Sequence, residues 1–304
     1  MKQYIQLVKR NILIYLRDKG AVFFSLLSML VVLCLTVFFL GDVNITALTE
    51  KLALLTNRDE AADKQNALLL ILTWTAGGII PVNAVMVTLS SLSVMIKDKT
   101  SRRFDSIYTS PASRSAVVLS YITAACFSSI IICTITFAIS EIYCVVSGAA
   151  VLSFISHIKI FIMITVNSFV YSAIMYLCAV FIKSEGAWSG FGTVIGVLVG
   201  FFGGIYMPIG ELSSTLAAVL KCTPVIYSTV MFRQVVCKDI LNTLFCGVPN
   251  EIADVYKETM GITISLFDKN ISSAICMAIL AAFGIAFIIA GILITKHSRK
   301  MGNK

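Results

Sequence analysis

Charge is scarce in this sequence. Asp, Glu, Lys and Arg make up 13% of its 304 residues and apolar types 58%, whereas a soluble domain carries about 25% charge. The shortage comes from long uncharged runs, which is the pattern of membrane spans. Histidine is rarer still, with His157 and His297 alone. No HExxH occurs, no Ser/His/Asp set can be assembled with specificity, and no two cysteines form a CxxC pair. A metalloprotease helix, a serine-type hydrolase and a cysteine-bound zinc or iron–sulfur site therefore find no support. No GxxxxGK[ST] run is present either, so this chain has no phosphate-cradling loop of that type. The opening MKQYIQLVKR is charged and amphipathic, without the short apolar core and small-residue cleavage site of a signal peptide.

Six uncharged runs remain: 21–40, 67–96, 115–140, 160–182, 186–210 and 270–295. Each reaches the ~20 residues a helix needs to cross the hydrocarbon. The second holds Gly77, Gly78 and Pro81 and is longer than necessary. It is expected to tilt, to kink near the proline or to run past the bilayer. The net charge of +8 has no basic domain behind it and gives no reason to expect nucleic acid. Its Lys and Arg cluster instead at the ends of the runs. With a cytoplasmic N-terminus, the inside segments hold 15 basic and four acidic residues, and the outside segments nine and twelve. Both termini are thus expected inside a multi-pass cell-membrane protein. Segments 41–66 and 237–269 then face outward. Within the latter, Cys237 and Cys246 either form a disulfide or remain thiols.

Residues 1–20 read as a helix lying in the inner interface. Ile5, Val8, Ile12 and Leu16 recur at helical spacing, flanked by Lys2, Lys9, Arg10 and Arg17. Residues 207–236 are apolar but punctuated by Pro208, Glu211, Lys221, Pro224 and Arg233. Neither 212–220 nor 225–232 is long enough to span, so two short re-entrant helices are expected before the last span. The expected fold is an all-α integral membrane domain of six transmembrane helices, with the N-terminal interfacial helix and those two short helices. The spans carry almost no ionisable residue: Glu141, Lys159 and Lys183 stand at span ends. A proton-coupled carrier would need a titratable relay at membrane depth.

The stretch KDKTSRRFDSIYTSPASR, residues 97–114, interrupts this apolar chain with five Lys or Arg. Phe104, Ile107 and Tyr108 fall at i, i+3 and i+4, one small apolar face if the segment is helical. Pro111 would end such a helix. The plainer reading is a positive-inside loop touching lipid headgroups. Three places decide for more than that: LRDKG before the first run, the TSPASR close of the 97–114 segment, and FFGGIYMPIGELSSTLAAVLKCTPVIY. Together they resemble the permease subunits of ABC-2 type ABC transporters, in the branch of drug, antibiotic-peptide and polysaccharide exporters. The resemblance covers nearly the whole chain. It departs at KTSRRFDSI, where that family usually carries Gly, Thr, Leu and Glu.

The resemblance implies a dimer of six-span permeases, identical or paralogous, with substrate passing between the protomers. ATP and Mg would bind to a separate ATP-binding subunit and no cofactor to this chain. Residues 97–114 would be a coupling segment docked in a groove on that subunit, through Arg102, Arg103, Phe104, Asp105, Ile107, Tyr108, Pro111 and Arg114. Gly204, Tyr206, Pro208, Glu211 and Pro224 would belong to an outer gate. Thr73, Trp74, Thr75, Asn83, Thr88 and Thr193 are candidates for lining the pathway, although small residues also simply permit close helix packing. The chain itself is expected not to be an enzyme. Two other classes stand beside this reading: an integral membrane enzyme acting on lipid-linked substrates, and a secondary carrier.

Overall fold

A computed structural model describes residues 2–35, 45–46, 48–50, 59–101, 103, 113–206, 208–266 and 269–301. Among these, the chain is almost entirely helical. Two helices open it, α1 (Lys2–Arg17) and α2 (Lys19–Leu35). Four long ones follow: α3 (Glu60–Thr100), α4 (Arg114–Val146), α5 (Phe154–Phe181) and α6 (Glu185–Phe202). After a 3-10 turn at Ile209–Glu211 come α7 (Ser214–Lys221), α8 (Pro224–Val236), α9 (Lys238–Leu244) and α10 (Asn250–Thr259). A minimal antiparallel pair, β1 (Ser265–Leu266) and β2 (Lys269–Asn270), leads into α11 (Ser273–Met301).

The helix starts are written locally. Asp59, Ser113, Ser153, Ser184 and Ser213 each accept a backbone N–H of the following first turn, and Pro224 opens α8. Five helices, α3, α4, α5, α6 and α11, are long and apolar enough to cross a membrane. The pair α7 and α8, bent by 85° across its short break, would add a sixth if taken as one span. The described part of α2 is apolar but shorter; residues 36–40 of the first run lie outside the described residues.

α3 is the centre of the bundle. Every residue from Leu69 to Pro81 is buried, as in a helix enclosed on all sides. It packs against α4, α5, α6 and α8, and at its margins against α1 and α2. Its 41 residues make a rod of ~60 Å, about twice the hydrocarbon thickness. The helix runs without a break through Pro81. The α11 helix closes the other flank against α5 and α8.

Two sequence boundaries shift. The fifth run was expected to stay helical to residue 210, but α6 stops at Phe202. Gly203 and Gly204 end it, Gly204 with φ +59, a conformation that glycine adopts at little cost. In α1 the buried residues are Asn11 and Tyr15, with Leu7 packed against the core and Tyr4 bonded through its hydroxyl to Thr123 at 2.7 Å. Ile5, from the expected apolar stripe, is 58% exposed. The helix thus turns its Tyr4–Leu7–Asn11–Tyr15 side to the bundle, because that side carries the hydrogen-bonding groups that match α4.

Candidate functional site

Two polar constructions stand out against the apolar bundle, one at the Thr100 end of α3 and one near its middle. The first surrounds Asp98, two residues before α3 ends, 1% exposed. Arg10 of α1 donates to both its oxygens, from Nη1 to Oδ2 at 2.8 Å and from Nη2 to Oδ1 at 2.9 Å. Tyr121 of α4 donates to Oδ2 at 2.7 Å. Arg10 also reaches Asn11, whose amide donates to Ser120 of α4 at 3.3 Å. The hydrogen bonds that Arg10 donates to Asp98 raise its pKa above the ordinary value, against the opposing effect of partial burial. A two-pronged guanidinium–carboxylate pair is directional as well as strong. It fixes the helix α1 to the end of α3.

The next two residues continue the junction. Lys99 donates to the carbonyl of Ala179 near the end of α5 at 2.6 Å, and Thr100 donates to Glu185 at the start of α6 at 2.8 Å. Three successive residues of α3 therefore bind α1, α4, α5 and α6. The chain leaves α3 for the 101–113 connection directly from this knot. Of the expected coupling residues, Arg102, Phe104, Asp105, Ile107, Tyr108 and Pro111 lie outside the described residues. Arg103 is helical and exposed, and Arg114 is the first residue of α4.

The second construction centres on Arg233 of α8, a cation with no exposed surface. Its Nη2 donates to the Gly204 carbonyl at 2.9 Å; longer contacts of 3.4 Å run from Nε to the Trp74 carbonyl and from Nη1 to the Met260 carbonyl. Its guanidinium carbon sits 3.8 Å from the centre of the Trp74 ring, a cation–π arrangement. Trp74 donates from Nε1 to the same Met260 carbonyl at 2.7 Å. Among the described residues no carboxylate pairs with this arginine. Gly77 and Gly78 make the room for it: a Cβ on either would stand 3.0 Å from an Arg233 side-chain atom. One side chain thus joins α3, α8, the turn after α6 and the turn after α10.

The expected gate residues gather partly here. Gly204 accepts from Arg233, and Tyr206 stacks edge-on against Phe201 with ring centres 5.1 Å apart. Pro208 is buried and leads into the 3-10 turn that Glu211 ends. Ile209 of that turn seats against Gly261, whose φ is +61. Pro224 stands apart, as the first residue of α8.

Of the pathway candidates, Thr73, Trp74, Thr75, Asn83 and Thr88 are enclosed by the chain itself. The three threonines donate to carbonyls one turn back along α3, and Asn83 donates to Thr136 of α4 at 2.6 Å. Within the single chain these five side chains are thus taken up by packing and by hydrogen bonds to α3 and α4. Thr193 on α6 is exposed.

The sequence reading missed Arg233, which it took as punctuation of a short apolar segment, and the Arg10–Asp98 pair. Gly77 and Gly78 opposite a helical cation were a faint signal; no local pattern announces a bond between residues 10 and 98. Of the two alternatives left open for Cys237 and Cys246, the structure has free thiols, Cys237 buried and Cys246 exposed.

A protein-family model described as ABC-2 family transporter protein matches residues 42–293. No curated protein matches the chain.

Proposed function

The chain belongs to the ABC-2 transporter family, and from that premise we propose that it is the permease subunit of an ATP-driven exporter. It works beside a second permease, with ATP and Mg held on a separate ATP-binding subunit, and residues 97–114 dock on that subunit from the cytoplasmic side. The observation that supports the docking role is the knot at Asp98, Lys99 and Thr100. A push on the 101–113 connection acts on the end of α3, where four other helices are hydrogen-bonded to three successive residues. Movement there has a rigid path into the bundle. The Arg233 construction, about 32 Å away by the ~1.5 Å rise of a helix, would hold the outer half of the bundle together until that movement arrives. Gly204, Tyr206, Pro208, Glu211 and Pro224 belong to that outer gate, and the face of α6 bearing Thr193 borders the second permease. Neither the enzyme reading nor the carrier reading is favoured by any observation above.

The docking role is tested by the triple change Arg102→Glu, Arg103→Glu and Phe104→Ala, with co-purification of the ATP-binding subunit as the readout. The expected result is loss of the partner with normal membrane insertion; full retention of partner and of transport would refute it.

A further inference from the structure

We propose that this chain carries a binding site for a small amphiphilic organic cation, in a cavity between α3, α4 and α9 at the Glu60 end of α3. The cavity holds about 230 Å³. An apolar pocket of ~150 Å³ already admits a benzene-sized molecule, so this one has room for a single ring with a short chain. Leu69, Ala76, Phe137, Val145, Val236 and Ile240 are among its apolar lining residues. An apolar enclosure with a few converging polar groups is the ordinary form of a small-molecule site.

The sign of the ligand follows from the charged lining. Among the described residues, Glu141 and Asp239 are the carboxylates there, and no Lys, Arg or His lines the cavity. Glu141 is oriented from behind: its Oε2 lies 2.8 Å from His157 Nε2, and its Oε1 accepts the Leu152 N–H at 3.3 Å. Asp239 is exposed at the rim, in the first turn of α9. Lys238 beside it is exposed but is not part of the lining. The apolar body of the ligand would lie against Phe137 and Leu69, with its ammonium toward the two carboxylates. The site does not depend on the transport reading.

Cys144 lines the cavity and is buried, whereas Cys222 is exposed elsewhere. The rate of Cys144 alkylation by iodoacetamide, followed by peptide-resolved mass spectrometry on the full chain in detergent, therefore reports occupancy, with Cys222 as the internal control. Addition of 2-phenylethylammonium is expected to slow Cys144 about tenfold, the effect of occupancy at ten times the Kd, and to leave Cys222 unchanged. The anion 3-phenylpropanoate, with the same ring, is expected to do nothing. Asp239→Asn, at an exposed position, and Ala76→Leu, which fills the cavity, should each shift protection to higher ammonium concentration. Equal protection by both probes, no protection by the ammonium, or protection unchanged in Asp239→Asn would overturn the proposal. So would a co-purifying phospholipid that the ammonium does not displace, because the cavity would then be an acyl-chain slot.

Discussion

Asp98 and Arg233 carry the two largest single-residue consequences, and they differ in kind. Asp98 is a buried anion with a cation and a phenol directed at it. Asp98→Asn leaves Arg10 partly buried beside a neutral amide, and breaking a buried pair from one side costs about 3–5 kcal/mol. We expect a clearly lower Tm for the purified chain, and a smaller loss when Arg10→Met accompanies it, because the orphaned cation is then gone. A double-mutant cycle on thermal unfolding measures this, and strict additivity would contradict it. Arg233 has carbonyls and a ring in place of a counter-ion. Arg233→Ala removes the donors from the Gly204 carbonyl and empties the space beside Gly77 and Gly78. A large-to-small change of this sort costs about 2–5 kcal/mol. Arg233→Lys should rescue little, since one ammonium on a single stem cannot reach three carbonyls on separate segments. Thermal unfolding of the two variants compares them; a Lys variant as stable as the native chain would count against the bridging role.

Elements are held in place by their ends. α6 stops at two glycines, the 3-10 turn at Ile209–Glu211 leans on the turn after α10, and Gly261 closes that contact with φ +61. An added methyl there meets Ile209 as well as an unfavourable backbone region. Gly261→Ala is expected to cost about 1–3 kcal/mol and to act locally. Hydrogen exchange should rise across 204–211 and 257–264 while amides of α4 and α5 stay protected. Uniform change over the whole chain would argue that this turn is not a separate unit. Each long apolar run was plain in the sequence; the capping serines 113, 153, 184 and 213 stand just outside those runs and were seen only in the structure. The end of α6 was not plain either. The run stays uncharged to Gly210, and hydropathy alone does not tell apolar helix from apolar turn.

For the whole molecule, the position of α3 decides what the bundle can offer a partner. Its polar residues are spent inside the chain, whereas α6 leaves Val194, Val197 and Phe201 exposed along one face, at 57%, 54% and 51%. We expect Val197→Cys to cross-link two copies of the chain upon mild oxidation in membranes, and Val85→Cys, buried in α3, not to. Equal yields from both would contradict a second permease on the α6 face. The sequence by itself determined that this is a helical membrane protein of the ABC-2 family, with a basic connection after its longest apolar run. Those properties follow from uncharged length, charge placement and short motifs, all local along the chain. Only the tertiary structure decided that α3 lies at the centre, that α1 is fastened by Arg10 to Asp98, and that Arg233 is enclosed by carbonyls from three distant segments. The physical reason is that burial and pairing belong to side chains from remote parts of the chain. A charged residue looks the same in sequence whether it meets water or the inside of a bundle.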